Sequence, residues 1–134
     1  MADCVFCKII TGEIPSYQVY EDDEFFAFLD IRPLNPGHTL IIPKKHLRWV
    51  WDAENIGKYY EVVKKIALGL KAAFKTDYVV SLVLGEEVEH AHVWLVPRHK
   101  GDGHGGAIDL KNVKEIGEEE MKEIAERIKK NIIM

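Results

Sequence analysis

The segment from His90 to Pro97 reads HAHVWLVP, and the segment from Tyr78 to Gly85 reads YVVSLVLG. Both are short apolar runs, and only Glu86–Glu89 separates them, so they are predicted to pair as an antiparallel hairpin. Side chains two positions apart in a strand share a face, which places the imidazoles of His90 and His92 on one side. A single strand histidine is usually a surface or backbone-bonded residue, but two in register favour a functional site.

Three further strands are predicted before this hairpin. Residues 16–30, SYQVYEDDEFFAFLD, contain two β-prone runs split by an acidic stretch, which is typical of a first hairpin. Residues 30–37, DIRPLNPG, are predicted to form a loop because prolines, asparagine and glycine disfavour regular structure. The run HTLIIP at 38–43 is predicted to be the third strand. If it neighbours the histidine strand, His38 and His46 approach His90 and His92.

Two helices are predicted, one before the second hairpin and one after it. From about Ala53 to Lys75, apolar residues recur at three- and four-residue spacing, which indicates one buried helical face. From about Glu118 to Asn131, acidic residues fill the first turn of a helix. Its predicted buried residues are Met121, Ile124, Ala125 and Ile128. The fold class is therefore α+β, an antiparallel sheet of about five strands with one long helix and a C-terminal helix.

The composition indicates one ordinary globular domain over residues 1–134. Of these residues, 47% are apolar and 30% are charged. The net charge of −4 comes without a basic block, so binding to a polynucleotide is not expected. No apolar stretch approaches the roughly 18 residues that cross a bilayer, and residues 1–4 do not begin a targeting signal. We therefore expect a cytoplasmic protein without membrane contact. The glycine-rich residues 98–106 are expected to be irregular, with His99 and His104 exposed to solvent.

The two cysteines, Cys4 and Cys7, form a Cys-x-x-Cys motif. A thioredoxin-like redox site needs a strand before the motif, for which this position leaves no room. One local disulfide would also have little use in a reducing compartment. Metal binding is therefore favoured, and a redox pair or two reduced thiols without metal are the alternatives.

Two stretches of the chain resemble the histidine triad (HIT) family, in its nucleoside phosphoramidase branch. They are CVFCKIITGEIPSYQVYEDDEFFAFLDIRPLNPGHTLIIPKKH at 4–46 and HAHVWLVPR at 90–98. The resemblance covers most of residues 4–98 and is weak beyond them. It implies a HIT-like fold, a nucleotidyl hydrolase and a homodimer that extends the sheet. The implied partner is a purine nucleotide such as AMP or an adenosine phosphoramidate.

The resemblance assigns the catalytic roles. In the family motif His-x-His-x-His, the middle histidine attacks the α-phosphate, and water then hydrolyses the nucleotidyl-histidine intermediate. That position is His92 here, and His38 and His90 match residues that help to position it. The chemistry is sound in its own terms, because a neutral imidazole is a competent nucleophile when its other nitrogen is held.

The resemblance also implies residues for the nucleoside. Phe6 and Ile9 match positions that enclose the base, and Asp30 matches the carboxylate that binds the ribose hydroxyls, with Ile31 packed beside it. A carboxylate suits this task because it accepts hydrogen bonds from two vicinal hydroxyls at once. The alternative for Asp30 is a residue that caps the turn at the start of a loop.

A structural zinc site is the metal-binding role that the resemblance implies. In the part of the family that carries the N-terminal cysteine pair, the remaining ligands match His46 and His90. Two thiolates and two imidazoles complete a tetrahedral zinc site, which would here consist of Cys4, Cys7, His46 and His90.

Two departures from the family pattern lie at the histidine strand. Trp94 stands where the third histidine belongs. Its indole N–H can donate one hydrogen bond, but the ring cannot accept or relay a proton as an imidazole can. The connection at 85–89 is short and acidic, and a carboxylate such as Glu87 would repel a phosphate. These departures leave two hypotheses, a phosphoramidate hydrolase acting through His92 and a nucleotide-binding homodimer with weakened catalysis. Alternatively, the glutamates point into solvent and Trp94 simply packs in the sheet.

Overall fold

The computed structural model describes residues 4–133, which form an antiparallel sheet covered by helices on both faces. The strands are β1 (Gln18–Glu21), β2 (Phe25–Leu29), β3 (Thr39–Pro43), β4 (Val79–Leu82) and β5 (Val93–Pro97). The helices are α1 (Val5–Ile10), α2 (Ile56–Phe74) and α3 (Glu118–Asn131), with a 3-10 turn at Val50–Asp52. The predicted α+β class with one long helix and a C-terminal helix is confirmed. No helix within residues 4–133 has the length and apolar composition needed to cross a bilayer.

The strand order β1-β2-β3-β5-β4 makes the third strand a direct neighbour of the histidine-bearing segment. β3 and β5 pair antiparallel, with Thr39 opposite Leu95 and Ile41 opposite Val93. Both predicted hairpins form, since β1 pairs with β2 and β4 pairs with β5. The sheet therefore brings the ends of β3 next to the residues that precede β5.

The predicted histidine strand is shorter than expected. β5 begins at Val93, so His90 and His92 lie ahead of the strand, and the connection from β4 spans residues 83–92 rather than 86–89. The backbone offers a physical reason, because the N–H of Ala91 donates to the carbonyl of Leu47 at 2.7 Å. This bond ties the segment to the loop after β3 instead of to a longer β4.

Alternating side chains give the sheet two apolar faces. On one face, α2 and α3 pack over buried residues such as Ile41, Val93 and Leu95. On the other face, α1 contributes Phe6 and Ile9 to a cluster with Phe26, Phe28, Leu40 and Ile42. α1 is too short to be predicted from the sequence, and the candidate site lies on this second face.

The glycine-rich segment after β5 is irregular, as expected, but it is organised by a buried ion pair. Arg98 Nε donates to Asp102 Oδ2 at 2.8 Å, and Asn35 Nδ2 donates to the same oxygen at 2.9 Å. The Arg98 guanidinium, together with these donors, holds the pKa of Asp102 far below its usual range. The segment is thereby fastened to the loop that leads into β3.

The expectation for the two histidines of this segment is half right. His99 is exposed, whereas His104 is partly buried. His104 Nδ1 accepts from the backbone N–H of Asp109 at 3.0 Å, so its Nε2 carries the proton and donates to the carbonyl of Leu34 at 2.8 Å. The prediction of a solvent-exposed His104 is therefore wrong, because two backbone groups hold its ring.

Candidate functional site

The candidate site lies where α1, the loop after β3 and residues 83–92 meet. The ring of Phe6 packs edge-on against His90 at 5.8 Å and against His92 at 5.2 Å between ring centroids. Both imidazoles therefore lie on the α1 side of the sheet, although neither residue is part of β5.

His92 is held in a single tautomer. Its Nδ1 lies 2.7 Å from the carbonyl oxygen of His90, which can only accept, so Nδ1 carries the proton. Nε2 then keeps its lone pair. Burial lowers the pKa of His92, whose side chain is 5% exposed, and this favours the neutral ring. A neutral imidazole with an available Nε2 has the protonation state of a nucleophile.

His38 is held in the opposite tautomer. Its Nδ1 accepts from the backbone N–H of Leu34 at 3.1 Å, so the proton sits on Nε2. Nε2 lies 3.6 Å from Asp30 Oδ2, too far for a hydrogen bond, and it has no other partner among residues 4–133. Burial lowers the pKa of His38 to about 3, and its ring packs against Trp94 with centroids 4.7 Å apart. His38 is therefore a neutral N–H donor beside Trp94.

Asp30 uses one carboxylate oxygen locally. Oδ1 accepts from the backbone N–H of Arg32 at 2.8 Å, so Asp30 does cap a turn. Oδ2 faces His38 without a hydrogen bond, and burial raises the pKa of the carboxyl, with Glu87 adding to this effect. The neighbouring Ile31 is 78% exposed, while Phe6 and Ile9 are buried on the face of α1 that packs against the sheet. The predicted nucleoside residues therefore lie at different depths.

Trp94 joins the apolar cluster under α1 instead of projecting freely. It is partly buried against that cluster, and its indole Nε1 is buried with no hydrogen-bond partner among the described residues. The glutamates at 86, 87 and 89 are all exposed. The interpretation of Trp94 as a packing residue and of the glutamates as solvated therefore agrees with their positions, although Glu87 still lies close enough to influence Asp30.

A second cluster adjoins His92 and has the donor set of a metal site. The ligand atoms of Cys4, Cys7, His46 and His90 all lie within 4.8 Å of one another. His90 Nδ1 is 3.3 Å from Cys4 Sγ and 3.5 Å from Cys7 Sγ, and His46 Nδ1 is 3.4 Å from Cys7 Sγ. Around tetrahedral zinc, with Zn–S of ~2.3 Å and Zn–N of ~2.05 Å, sulfur and nitrogen lie about 3.6 Å apart. The four side chains can hold such an ion.

Two local bonds prepare these ligands. His90 Nε2 donates to the carbonyl of Pro43 at 2.8 Å, which leaves the Nδ1 lone pair facing the thiols. Cys4 Sγ accepts from the backbone N–H of Cys7 at 3.3 Å and so caps α1. His90 thus serves both clusters, because its ring faces the cysteines while its backbone carbonyl accepts a hydrogen bond from His92.

Sequence reasoning missed Arg48, which also borders the site. Its guanidinium stacks on the ring of Trp49 at 3.7 Å, and its Nε lies 3.7 Å from Glu89 Oε1. The positive charge of Arg48 adds to the effect of burial in lowering the pKa of His92. No motif contains this arginine, and the sequence signal is only its position two residues after His46.

Comparison with known proteins gives consistent matches over most of the chain. Residues 11–101 match the model of the HIT domain. An uncharacterized HIT-like protein of Borreliella burgdorferi is 42% identical, over 98% of this chain and 100% of the relative. The solved structure of a hypothetical histidine triad nucleotide-binding protein from Sulfolobus tokodaii is similar with a TM-score of 0.84 and 36% identity, covering 96% of this chain and 91% of that one. The structure of a Zn-bound histidine triad family protein from Mycobacterium smegmatis has a TM-score of 0.79 and 29% identity, covering 98% and 94%.

Proposed function

Because the chain belongs to the histidine triad family, with its residues 11–101 matching the HIT domain, we propose that it is a nucleotide-binding hydrolase of the nucleoside phosphoramidase branch. The observation that carries this proposal is the 2.7 Å contact between His92 Nδ1 and the His90 carbonyl, which leaves Nε2 as an available lone pair. The similar protein from Sulfolobus tokodaii, which is named as nucleotide-binding, supports the substrate class. The substrate would be a nucleoside 5'-phosphoramidate such as that of adenosine.

The proposed reaction has two displacement steps at phosphorus. In the first, His92 Nε2 forms a bond to the α-phosphorus as the P–N bond breaks, and the amine leaves with a proton taken from solvent, which the second step replaces. The positive charge that develops on the imidazole is stabilised by the His90 carbonyl, which accepts from Nδ1–H. In the second step, water attacks phosphorus and releases the nucleoside monophosphate, a proton and neutral His92.

The remaining site residues would bind the nucleoside. Asp30 offers Oδ2, the oxygen that the turn does not use, to the ribose hydroxyls. Phe6, Ile9 and Ile31 would enclose the base, with Ile31 as the exposed wall. Trp94 and His38 would form the wall beside the phosphate, each with a ring N–H that has no partner among residues 4–133. His90 would position His92 through its carbonyl.

The test is hydrolysis of adenosine 5'-phosphoramidate by the wild type and by His92→Ala. We expect His92→Ala to lose at least ~1000-fold in turnover, because the nucleophile is gone. A rapid acid quench should trap adenylyl-enzyme on the wild type by mass spectrometry and none on the variant. His99→Ala, at an exposed histidine outside the site, is the control and should keep full activity. Equal turnover by wild type and His92→Ala, in protein that still binds AMP, would contradict the proposal.

Trp94 supports a second candidate, a nucleotide-binding homodimer that is catalytically weakened or inactive. Its indole packs in the apolar cluster next to α1 and cannot relay a proton as a histidine would, and loss of one donor at a reacting oxyanion costs on the order of 100-fold in rate. This candidate predicts AMP binding with turnover no faster than His92→Ala. Trp94→His should then raise the rate by about 100-fold.

We also propose that Cys4, Cys7, His46 and His90 hold a structural zinc ion. Their donor set, their S–N spacing of 3.3 to 3.5 Å and the Zn-bound protein from Mycobacterium smegmatis support this. When bound, zinc would fix α1 against the sheet and take no part in the phosphoryl transfer. Elemental analysis should find one zinc per chain in the wild type and none in a Cys4→Ser/Cys7→Ser variant. Zinc-free wild-type protein with two titratable thiols would contradict it.

The chain is further proposed to be one domain over residues 1–134 that forms a homodimer in the cytoplasm. The exposed apolar side chains Ile56 and Leu68 of α2 could supply part of such an interface. Sedimentation equilibrium should give twice the chain mass for the wild type. Leu68→Glu should shift the protein toward the monomer. A wild-type protein that sediments with the mass of one chain would contradict the dimer.

A further inference from the structure

A backbone hydrogen bond holds the segment that contains Arg48 against the segment that contains His92. The N–H of Ala91, the residue before His92, donates to the carbonyl of Leu47, the residue before Arg48, at 2.7 Å. The guanidinium carbon then lies over the ring of Trp49, 3.7 Å from its centroid. The backbone bond and the stacking together restrict where the positive charge can lie, so Arg48 is a positioned side chain and not a freely solvated one.

The loop that leads into the histidines packs against this guanidinium. A Cβ atom at Gly85 would lie 2.6 Å from the Trp49 ring and 3.4 Å from Arg48 Nη1. The absence of a side chain at Gly85 therefore lets the loop approach this closely, and a larger residue would require the Trp49 ring to shift. The Arg48 guanidinium consequently lies against Gly85, at the start of the connection that leads through residues 86–89 to His90.

The positive charge of Arg48 is poorly compensated. Its nearest carboxylate, Glu89, stands 3.7 Å from Nε on a side chain that is 78% exposed, where screening leaves such a pair little energy. Nη1 is buried and has no hydrogen-bond partner among residues 4–133. A buried N–H without an acceptor is costly, and an anion bound at the site would supply the acceptor. Arginine also suits phosphate, because its planar fork donates two parallel bonds.

We propose that Arg48 binds the phosphoryl oxygens of the nucleotide held at His92, and that Glu89 weakens this contact by competing for the guanidinium. The inference rests on the proposed nucleotide site and adds a specific residue to it. Arg48 would supply the strong cationic donor that Trp94 cannot, since an indole N–H is neutral. The chemical class recognised is a nucleoside 5'-phosphate or its amidate.

The test compares AMP with adenosine by isothermal titration calorimetry, which needs no turnover. We expect Arg48→Gln to weaken AMP binding by about tenfold or more, as for a lost hydrogen bond to a charged group, and to leave adenosine binding unchanged. Glu89→Gln should tighten AMP binding by about two- to fivefold. In the Arg48→Gln background, Glu89→Gln should change nothing. Arg127→Gln, an exposed arginine on α3, is the matched control and should bind AMP like the wild type.

Three outcomes would overturn the inference. They are unchanged AMP affinity in Arg48→Gln, an equal loss for AMP and adenosine, and a Glu89→Gln effect that persists without Arg48. If Arg48→Gln fails to fold, Glu89→Gln decides, because it removes only an exposed carboxylate; unchanged or weaker AMP binding would then overturn the inference. Arg48→Gln could lose AMP binding while the wild type turns over no faster than His92→Ala. That result would uphold the role of Arg48 and contradict the hydrolase.

Discussion

Two of the buried histidines at the site, His38 and His92, carry their protons on opposite ring nitrogens. The difference comes from one backbone group in each case, since Nδ1 of His38 meets the N–H of Leu34 and Nδ1 of His92 meets the carbonyl of His90. His38 is thereby a donor at Nε2, and His92 offers a lone pair there. One site thus contains both a ring N–H donor and an available ring lone pair made from the same residue type.

Stability should fall with acidity through His38. Burial lowers the pKa of this residue to about 3 in the folded protein, whereas an unfolded chain protonates near pH 6.5. Between these values the unfolded state binds the additional proton, so the stabilising effect is full above pH 6.5 and is lost as the pH falls toward 3. The linkage gives a loss of about 2 kcal/mol between pH 7 and pH 5.

Urea unfolding of His38→Asn measures this contribution. The asparagine oxygen can accept from Leu34 N–H in place of Nδ1, but the side chain does not titrate. Wild type should lose about 2 kcal/mol more than His38→Asn between pH 7 and pH 5. Equal losses in the two proteins would show that His38 does not remain neutral in the fold.

At the residue level, the sequence identifies groups whose spacing indicates their chemistry. The Cys-x-x-Cys spacing predicted a metal site, and the family resemblance implied His46 and His90 as the further ligands, which the structure brings together with Cys4 and Cys7. Arg48 and Asp102 were not predicted, because an arginine in a connecting segment and an aspartate between glycines are usually solvated. Their importance comes from the stacking on Trp49 and from the donors gathered around Asp102, which only the folded chain reveals.

Among the elements, periodic patterns were predicted well and short ones were not. The three- and four-residue spacing predicted α2 to within three residues of its observed ends, and α3 was predicted at its observed bounds. α1 has only six residues, too few to show a period, and depends on the thiol cap of Cys4. The histidine strand was predicted too long, because the bond between Ala91 and Leu47 is a tertiary contact without a local signal.

The close contact of α2 with the end of α3 depends on Gly69. A Cβ there would lie 2.8 Å from Ile132 Cγ1 and 3.4 Å from the Asn131 carbonyl oxygen. We therefore expect Gly69→Ala to lower the free energy of unfolding by about 1 kcal/mol, because the overpacking outweighs the gain in helix propensity.

Gly57→Ala is the matched control on the same helix. Its Cβ would meet only Asn55 Oδ1 at 3.6 Å, an ordinary contact. Chemical denaturation should show an unchanged or slightly higher stability for Gly57→Ala, by a few tenths of a kcal/mol. A Gly69→Ala variant as stable as Gly57→Ala would mean that α3 moves away at no cost.

For the whole molecule, the proposed zinc ion would join three distant parts of the chain. The ligands come from the start of α1, from the loop after β3 and from the segment before β5. A strong chelator should lower the melting temperature of the wild type by about 10 °C or more, because the ion binds the folded state alone. The Cys4→Ser/Cys7→Ser variant should not respond to the chelator, and an unaffected wild type would argue against a structural metal.

The Asp102 carboxylate gives the glycine-rich segment a property that its composition hides. Besides Arg98 and Asn35, it accepts the backbone N–H groups of His99 and His104, each at 3.0 Å. In deuterated buffer these two amides should exchange far more slowly than those of neighbouring glycines, with Asp102→Asn accelerating both. A segment that looks like a flexible tether in the sequence would then be a kinetically protected part of the native state, opening only when the buried ion pair separates.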